Sequence, residues 1–271
     1  MTDVRDNERP SLRRLVNGAA IQSRVIGALI LREIHTRYGR NNIGFLWFVF
    51  EPMMFTVGVM VLWTLIEGNH EHNVSVLGFI FNGYMPLVMW RHCVYRSIKC
   101  FEANGSLLYH RQVKVFDLIA ARALLEICGV LVTYTAILLL LYPIGLLELP
   151  TDLSKVYLGW FVIILFSTAC ALILAPLSEM SDIVERIIGP VTYFFLPASG
   201  AFVMLGWLPP RLREILLLMP FTSGEELIRA GQFGPGVHTY YHLGYALTAS
   251  TVMVGLGLLL TKRVHRHLEV R

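Results

Sequence analysis

Six stretches of about 20 mostly apolar residues, joined by short polar links, take up nearly the whole chain, and each is long enough to cross a bilayer as a helix. Lipid offers the backbone no hydrogen bonds, so a spanning segment must bond within itself, as a helix does, or within a closed barrel. Continuous apolar runs of this length select helices. They are placed at residues 43–66, 76–98, 118–142, 157–177, 187–206 and 241–261. With 55% apolar and 15% charged residues in a chain of 271, and a mean hydropathy of +0.58, the composition excludes an ordinary water-soluble domain. The spans leave no room for a soluble catalytic domain.

Residues 1–42 form a polar arm. Its first part carries Arg5, Arg9, Arg13 and Arg14 without an apolar core or small-residue cleavage site, so it does not read as a secretory signal peptide. Over residues 21–38, Val25, Ile26, Leu29, Ile30 and Ile34 fall on one side of a helix, with Arg24, Arg32 and His35 opposite. That pattern predicts an amphipathic helix lying on the membrane surface. Pro190, Pro197 and Gly200 interrupt the fifth apolar run, and Trp207, Pro209, Pro210 and Pro220 punctuate residues 207–230. Irregular backbone at membrane depth needs protein or water around it, which predicts re-entrant or interfacial helices there. The expected fold is all-α: a single six-helix transmembrane domain over residues 43–261, preceded by the interfacial helix and followed by a basic tail, residues 262–271.

Basic residues set the orientation. Beyond the four arginines already named, the arm carries Arg24, Arg32, Arg37 and Arg40; residues 99–117 add Lys99, Arg111 and Lys114, and the tail holds Lys262, Arg263, Arg266 and Arg271. The other side has only Lys155, Arg211, Arg213 and Arg229. The positive-inside rule therefore puts both termini in the cytoplasm of a multi-pass bacterial inner-membrane protein. The net charge of +4 reflects that topology and implies no nucleic-acid partner. Cys93, Cys100, Cys128 and Cys170 are scattered and read as packing residues, and His70-Glu71-His72 is too sparse for a metal site.

Charged side chains within apolar runs are expensive and mark the interior, a partner or water. Arg91, His92, Arg96 and Lys99 form a basic track toward the end of the second run, with His92, Arg96 and Lys99 near one helical face and Tyr95 beside them. Guanidinium groups in such a track suit carboxylates or a lipid phosphate. Two alternatives stay open: Arg96 and Lys99 reaching to headgroups, and Arg91 pairing with Glu126 or Glu51. Arg122 and Glu126, one turn apart, read as a structural ion pair. Tyr84, Trp90, Tyr193 and Phe194 are candidate flat surfaces for sugar rings, against the alternative of interfacial aromatic belts.

Thr36-Arg37-Tyr38-Gly39, Gly44-Phe45-Leu46-Trp47 and Glu51-Pro52 resemble the opening signature of the membrane subunits of type-2 ABC polysaccharide exporters. Glu before Pro is similar to the capsule branch rather than the O-antigen branch. Pro220 followed by Glu225, Glu226 and Arg229 is similar to a grouping that follows the last re-entrant helix in that family. The resemblance implies a homodimer docked on two copies of a cytoplasmic ABC ATPase, exporting an acidic lipid-linked capsular polysaccharide to periplasmic and outer-membrane export proteins. It also implies a coupling helix at about residues 102–115, with Glu102, Ser106, Leu107, Leu108, Tyr109 and Arg111, together with Arg37, at the ATPase contact. The residues agree on one negative: no G-x-x-x-x-G-K-[ST] phosphate loop occurs, so ATP and Mg are expected on the partner, with no cofactor and no catalytic residue here. An O-antigen or other glycolipid exporter, and an integral-membrane glycosyl- or phosphotransferase, remain alternatives. For the enzyme, Glu51, Glu126 and Glu179 are too scattered to form an acid cluster.

Overall fold

The structure is a computed structural model and describes residues 12–38, 44–68, 70–71, 74–105 and 113–268. Its helices are α1 (Leu12–Tyr38), α2 (Gly44–Glu67), α3 (Val76–Ser97), α4 (Val115–Leu141), α5 (Leu153–Met180), α6 (Asp182–Ala198), α7 (Pro210–Leu217), α8 (Pro220–Phe233) and α9 (Leu243–Leu268). A two-stranded antiparallel hairpin, His70–Glu71 with Val74–Ser75, joins α2 to α3. Among the described residues four helical stretches are long and apolar enough to cross a membrane: Leu46–Glu67, Val115–Leu141, Leu153–Met180 and Leu243–Val264. The other two expected spans, α3 and α6, differ for reasons their sequences make plain. Helix α3 carries Asn82, Arg91, His92 and Arg96, and α6 is only 17 residues long.

Helix α3 pays for its polar residues by being central. From Val76 to Trp90 it is almost wholly buried, packed against α2, α4, α5 and α8. Its buried Asn82 donates to the carbonyl of Gly78 at 2.8 Å and accepts from the Tyr134 hydroxyl at 2.8 Å, so its amide costs little inside the bundle. Around it runs an aromatic spine: Phe81 stacks on Tyr134 at 4.5 Å, Trp90 on Phe195 at 3.8 Å, and Phe195 meets Phe221 edge-on at 5.2 Å. Helices α2 and α9 lie at the flanks and turn most of their apolar surface outward.

A second apolar cluster closes one end of the bundle, called the basal end here, where Leu29 of α1 meets Cys100, Phe101, Leu118, Ala171, Leu172 and Val264. Helix α1 begins at Leu12, ahead of the expected residue 21, and lies along α4. Asp117, fully buried in the first turn of α4, accepts from Gln22 of α1 and from the backbone N–H of Lys114 at 2.9 Å. An acid there also suits the positive end of the helix dipole.

The fifth run differs most from expectation. Helix α6 continues through Pro190 and Pro197 to Ala198, and just beyond its cap Ser199 stands Gly200, whose φ of 81° suits a residue without Cβ. It therefore starts and stops several residues earlier than residues 187–206. Beyond it, residues 207–230 do form short helices, α7 and α8, each with Pro in its first turn, where a missing N–H costs nothing. Only residues 102–104 of the expected coupling helix form a described turn of helix; Ser106, Leu107, Leu108, Tyr109 and Arg111 lie outside the described residues.

Helix α8 packs on α5 with almost no space between backbones. A Cβ on Gly159 would lie 2.6 Å from the Gly224 carbonyl and 2.7 Å from Ile228 Cγ1. Gly159→Ala is expected to destabilise the protein by about 1–3 kcal/mol, the usual cost of overpacking. Gly58→Ala, on an open helix face, gains up to about 1 kcal/mol of helix propensity. Thermal melting of the two variants in detergent checks the contrast.

Candidate functional site

Three helical rows of charge converge at the basal end. Glu33 and Arg37 are one turn apart on α1, His92 and Arg96 on α3, and Arg122 and Glu126 on α4. Such i, i+4 spacing puts each pair on one face. The pairing that results crosses between helices. Glu126, with 3% of its side chain exposed, accepts a hydrogen bond from Arg37 and lies 3.2 Å from His92 Nδ1 and 3.4 Å from Arg96 Nε. Glu33 accepts from Arg37 Nη2 at 2.6 Å and lies 3.4 Å from Arg122 Nε. Arg122 also donates to the Arg96 carbonyl at 2.9 Å.

This corrects one expectation. Arg122 and Glu126 do not pair with each other, because each finds a better-placed partner on another helix. Arg37 is 13% exposed and turned onto α4. Burial disfavours its charge, but the bonds and charges of Glu126 and Glu33 outweigh that and raise its pKa above the ordinary arginine value. The knot leaves a small open pocket lined by Phe48, Glu51, Pro52, His92, Arg96, Glu126, Gly129 and Val130. Glu51 therefore faces the basic track, while α2 continues unbroken through Pro52, whose carbonyl accepts from the Thr56 hydroxyl at 2.7 Å.

The expected track is split. Arg91 is half-buried and makes no hydrogen bond or ion pair among the described residues, so its pairing with Glu126 or Glu51 does not form. Arg96 is half-exposed, and Tyr95 shares a 2.8 Å hydrogen bond with Thr192 of α6. Lys99 leaves the face, because α3 ends at Ser97 and Lys99 turns to place Nζ 2.7 Å from Asp182. That hydrogen bond raises the Lys99 pKa and lowers that of Asp182. The two signs bracket one window. The pair's contribution falls away as pH drops through the lowered Asp182 value or rises through the raised Lys99 value, and it is whole between the unfolded values, about 3.9 and 10.4.

Of the aromatic candidates, Tyr84 and Trp90 are core residues, 9% and 4% exposed, and present no surface to a ligand within one chain. Tyr193 and Phe194 are the reverse, 75% and 79% exposed on α6. Trp47 is half-exposed and tilts against Phe50 at 5.4 Å. Helix α1 includes Tyr38 and α2 starts at Gly44, and Glu102 is exposed in its helical turn. Cys100 is buried, which pushes its thiol up to about 12, so it packs rather than reacts.

The grouping after Pro220 is interior. Arg229, counted by sequence among basic residues facing one side, is fully buried. It donates to the carbonyls of Ala201 at 2.8 Å and Val203 at 3.3 Å, lies 3.3 Å from Glu226, and stacks over Phe79 at 4.2 Å. Glu226 accepts from the N–H groups of Leu205 and Tyr240 at 3.2 and 3.0 Å. Together they hold the irregular residues 199–207 and the approach to α9. Glu225, also fully buried, has no hydrogen-bond partner on either oxygen among the described residues. Sequence reasoning named these residues without their role, and it missed Glu33, although its i, i+4 spacing to Arg37 was a usable signal.

Removing Glu126 leaves Arg37 buried beside one acid instead of two. Glu126→Ala is expected to cost about 3–5 kcal/mol, as for other broken buried pairs. It should also speed amide exchange in α1 ahead of that in α5, which hydrogen-exchange mass spectrometry resolves. Equal protection of α1 in the variant would mean that the apolar contacts of Leu29 hold it unaided.

The chain has relatives among known proteins. Residues 24–233 match the ABC-2 type transporter family. The chain is 37% identical over 250 residues to the capsule polysaccharide export inner-membrane protein CtrC of Neisseria meningitidis serogroup B, covering 92% of this chain and 94% of that one. It is 36% identical over 250 residues to the protein of the same description, BexB, of Haemophilus influenzae, with the same coverage. It is 29% identical over 254 residues to the polysialic acid transport protein KpsM of Escherichia coli, covering 91% and 96%. With its family signature matched across most of its length, this all-α, polytopic membrane chain belongs to the ABC-2 type transporter family.

Proposed function

We propose that this chain is the transmembrane subunit of an ATP-driven exporter that moves a lipid-linked capsular polysaccharide across the bacterial inner membrane. The observation that carries this reading is ABC-2 membership over residues 24–233, joined to likeness along 92% of the chain to capsule polysaccharide export inner-membrane proteins. Glu51 before Pro52 favours the capsule branch over an O-antigen exporter. In this reading α2, α3, α4, α5, α6 and α9 are six spans, α7 and α8 are re-entrant, and the basal end with both termini is cytoplasmic. Residues 1–42 precede the transmembrane domain of 43–261, and the basic tail is 262–271.

Two copies form the path, and two copies of an ABC ATPase bind ATP and Mg and supply the hydrolysis. The segment over residues 102–115 receives their motion, with Glu102, Ser106, Leu107, Leu108, Tyr109 and Arg111 at the contact. Periplasmic and outer-membrane export proteins take the product onward. Arg91 is the cation best placed for an acidic glycan or lipid phosphate, since it makes no hydrogen bond or ion pair among the described residues, and Arg96, further along α3, is half-exposed. Tyr193 and Phe194 are exposed rings on which sugar C–H faces can stack between two copies.

Arg91→Ala is expected to lower surface polysaccharide by about tenfold or more, the scale of one lost charge-assisted hydrogen bond, while the variant still assembles with its ATPase. Capsule staining and co-purification from the same cells measure both. Wild-type capsule in the variant removes Arg91 from the path, and export persisting after deletion of every ATPase partner refutes the ATP-driven reading itself.

A further inference from the structure

The residues just after α3 are held more firmly than a surface loop requires. Lys99 has φ 49°, a left-handed conformation rare for a residue with a side chain and kept only where its surroundings impose it. The α5–α6 turn imposes it. The Ser178 hydroxyl accepts the N–H of Lys99 at 3.0 Å, and Glu179 Oε1 accepts the N–H groups of Phe101 at 3.0 Å and Glu102 at 3.1 Å. Asp182 takes the Lys99 ammonium at 2.7 Å. Between these ties Cys100 and Phe101 sink into the basal cluster, 0% and 1% exposed. From the other side, Asn104 donates to the Cys100 carbonyl at 2.9 Å and accepts from Arg32 of α1 at 2.9 Å.

A glutamate at the C-terminal end of a helix is disfavoured by the dipole. Glu179 sits in the last turn of α5, and the bonds that justify it there are those to the loop root. Two residues beyond, Ser181 leads directly into α6, which is tied to α3 again through Thr192 and Tyr95 and carries the exposed Tyr193 and Phe194.

We propose that Glu179 is a positioning residue for transport: it joins the root of the loop after α3 to the α5–α6 turn, so that a push on that loop is delivered to α6. The proposal rests on the export reading above. Helix α6 is then the element that moves when the segment over residues 102–115 is pushed.

The test uses the full complex with its ATPase, comparing wild type, Glu179→Ala and Glu179→Gln for assembly, ATP hydrolysis and polysaccharide exported per ATP consumed. Glutamine keeps an acceptor oxygen for the two N–H groups, whereas alanine removes it. Glu179→Ala is expected to assemble and hydrolyse ATP while exporting about tenfold less per ATP, the scale of two lost bonds, and Glu179→Gln to recover most of the loss. The proposal is overturned if Glu179→Ala exports normally, if it loses assembly and hydrolysis along with export, or if Glu179→Gln is as impaired as alanine. A wild-type complex that hydrolyses ATP without exporting polysaccharide overturns the export reading instead, whatever the variants do.

Discussion

A carboxylate taken out of water must find positive charge close by, and Glu126 finds it on two other helices. Arg37 reaches it from α1, and His92 and Arg96 reach it from α3. A buried pair of this kind adds little net stability over a well-packed apolar contact, yet it penalises every arrangement in which one member is left alone. The knot therefore acts on register. It fixes how α1 lies against the bundle, with Gln22 and Asp117 as a second tie further along the same helix.

The far end is organised by another rule. Residues 199–207 offer carbonyls and N–H groups that no helix or sheet satisfies, and a buried arginine and glutamate on α8 meet them. Arg213 repeats the device at smaller scale, donating to the carbonyls of Leu205 and Leu208 at 3.1 Å each while lying over the Tyr240 ring at 3.8 Å. Irregular backbone in an apolar setting is thus satisfied by guanidinium groups, whose several donors in a fixed plane can serve more than one carbonyl.

The helices were legible because their signal is additive: twenty apolar residues in a row outweigh any single polar one, and α2 follows residues 43–66 almost to the residue. The partners of charges were not legible. Glu126 lies one turn from Arg122 in sequence, but which cation it meets depends on how α1 and α3 are rotated, and no local pattern reports that. Tyr84 and Trp90 failed as surface candidates for a related reason. An aromatic side chain in an apolar run reads alike whether it faces lipid, a path or the core, and burial by α5, α6 and α8 decides. The prolines of the fifth run, Pro190 and Pro197, lie within α6, and what the sequence left unclear was where that helix starts and stops.

The close approach of α5 and α8 has a mechanical consequence. Gly159, Gly224 and Gly231 let the two backbones touch, with a carbonyl 2.6 Å from where a Cβ would stand at both Gly159 and Gly231. Surfaces meshed at that distance cannot slide past each other, because any axial shift drives a side chain into main chain. The short helix is in effect a graft on the long one, so a rearrangement at the far end must swing both as one lever.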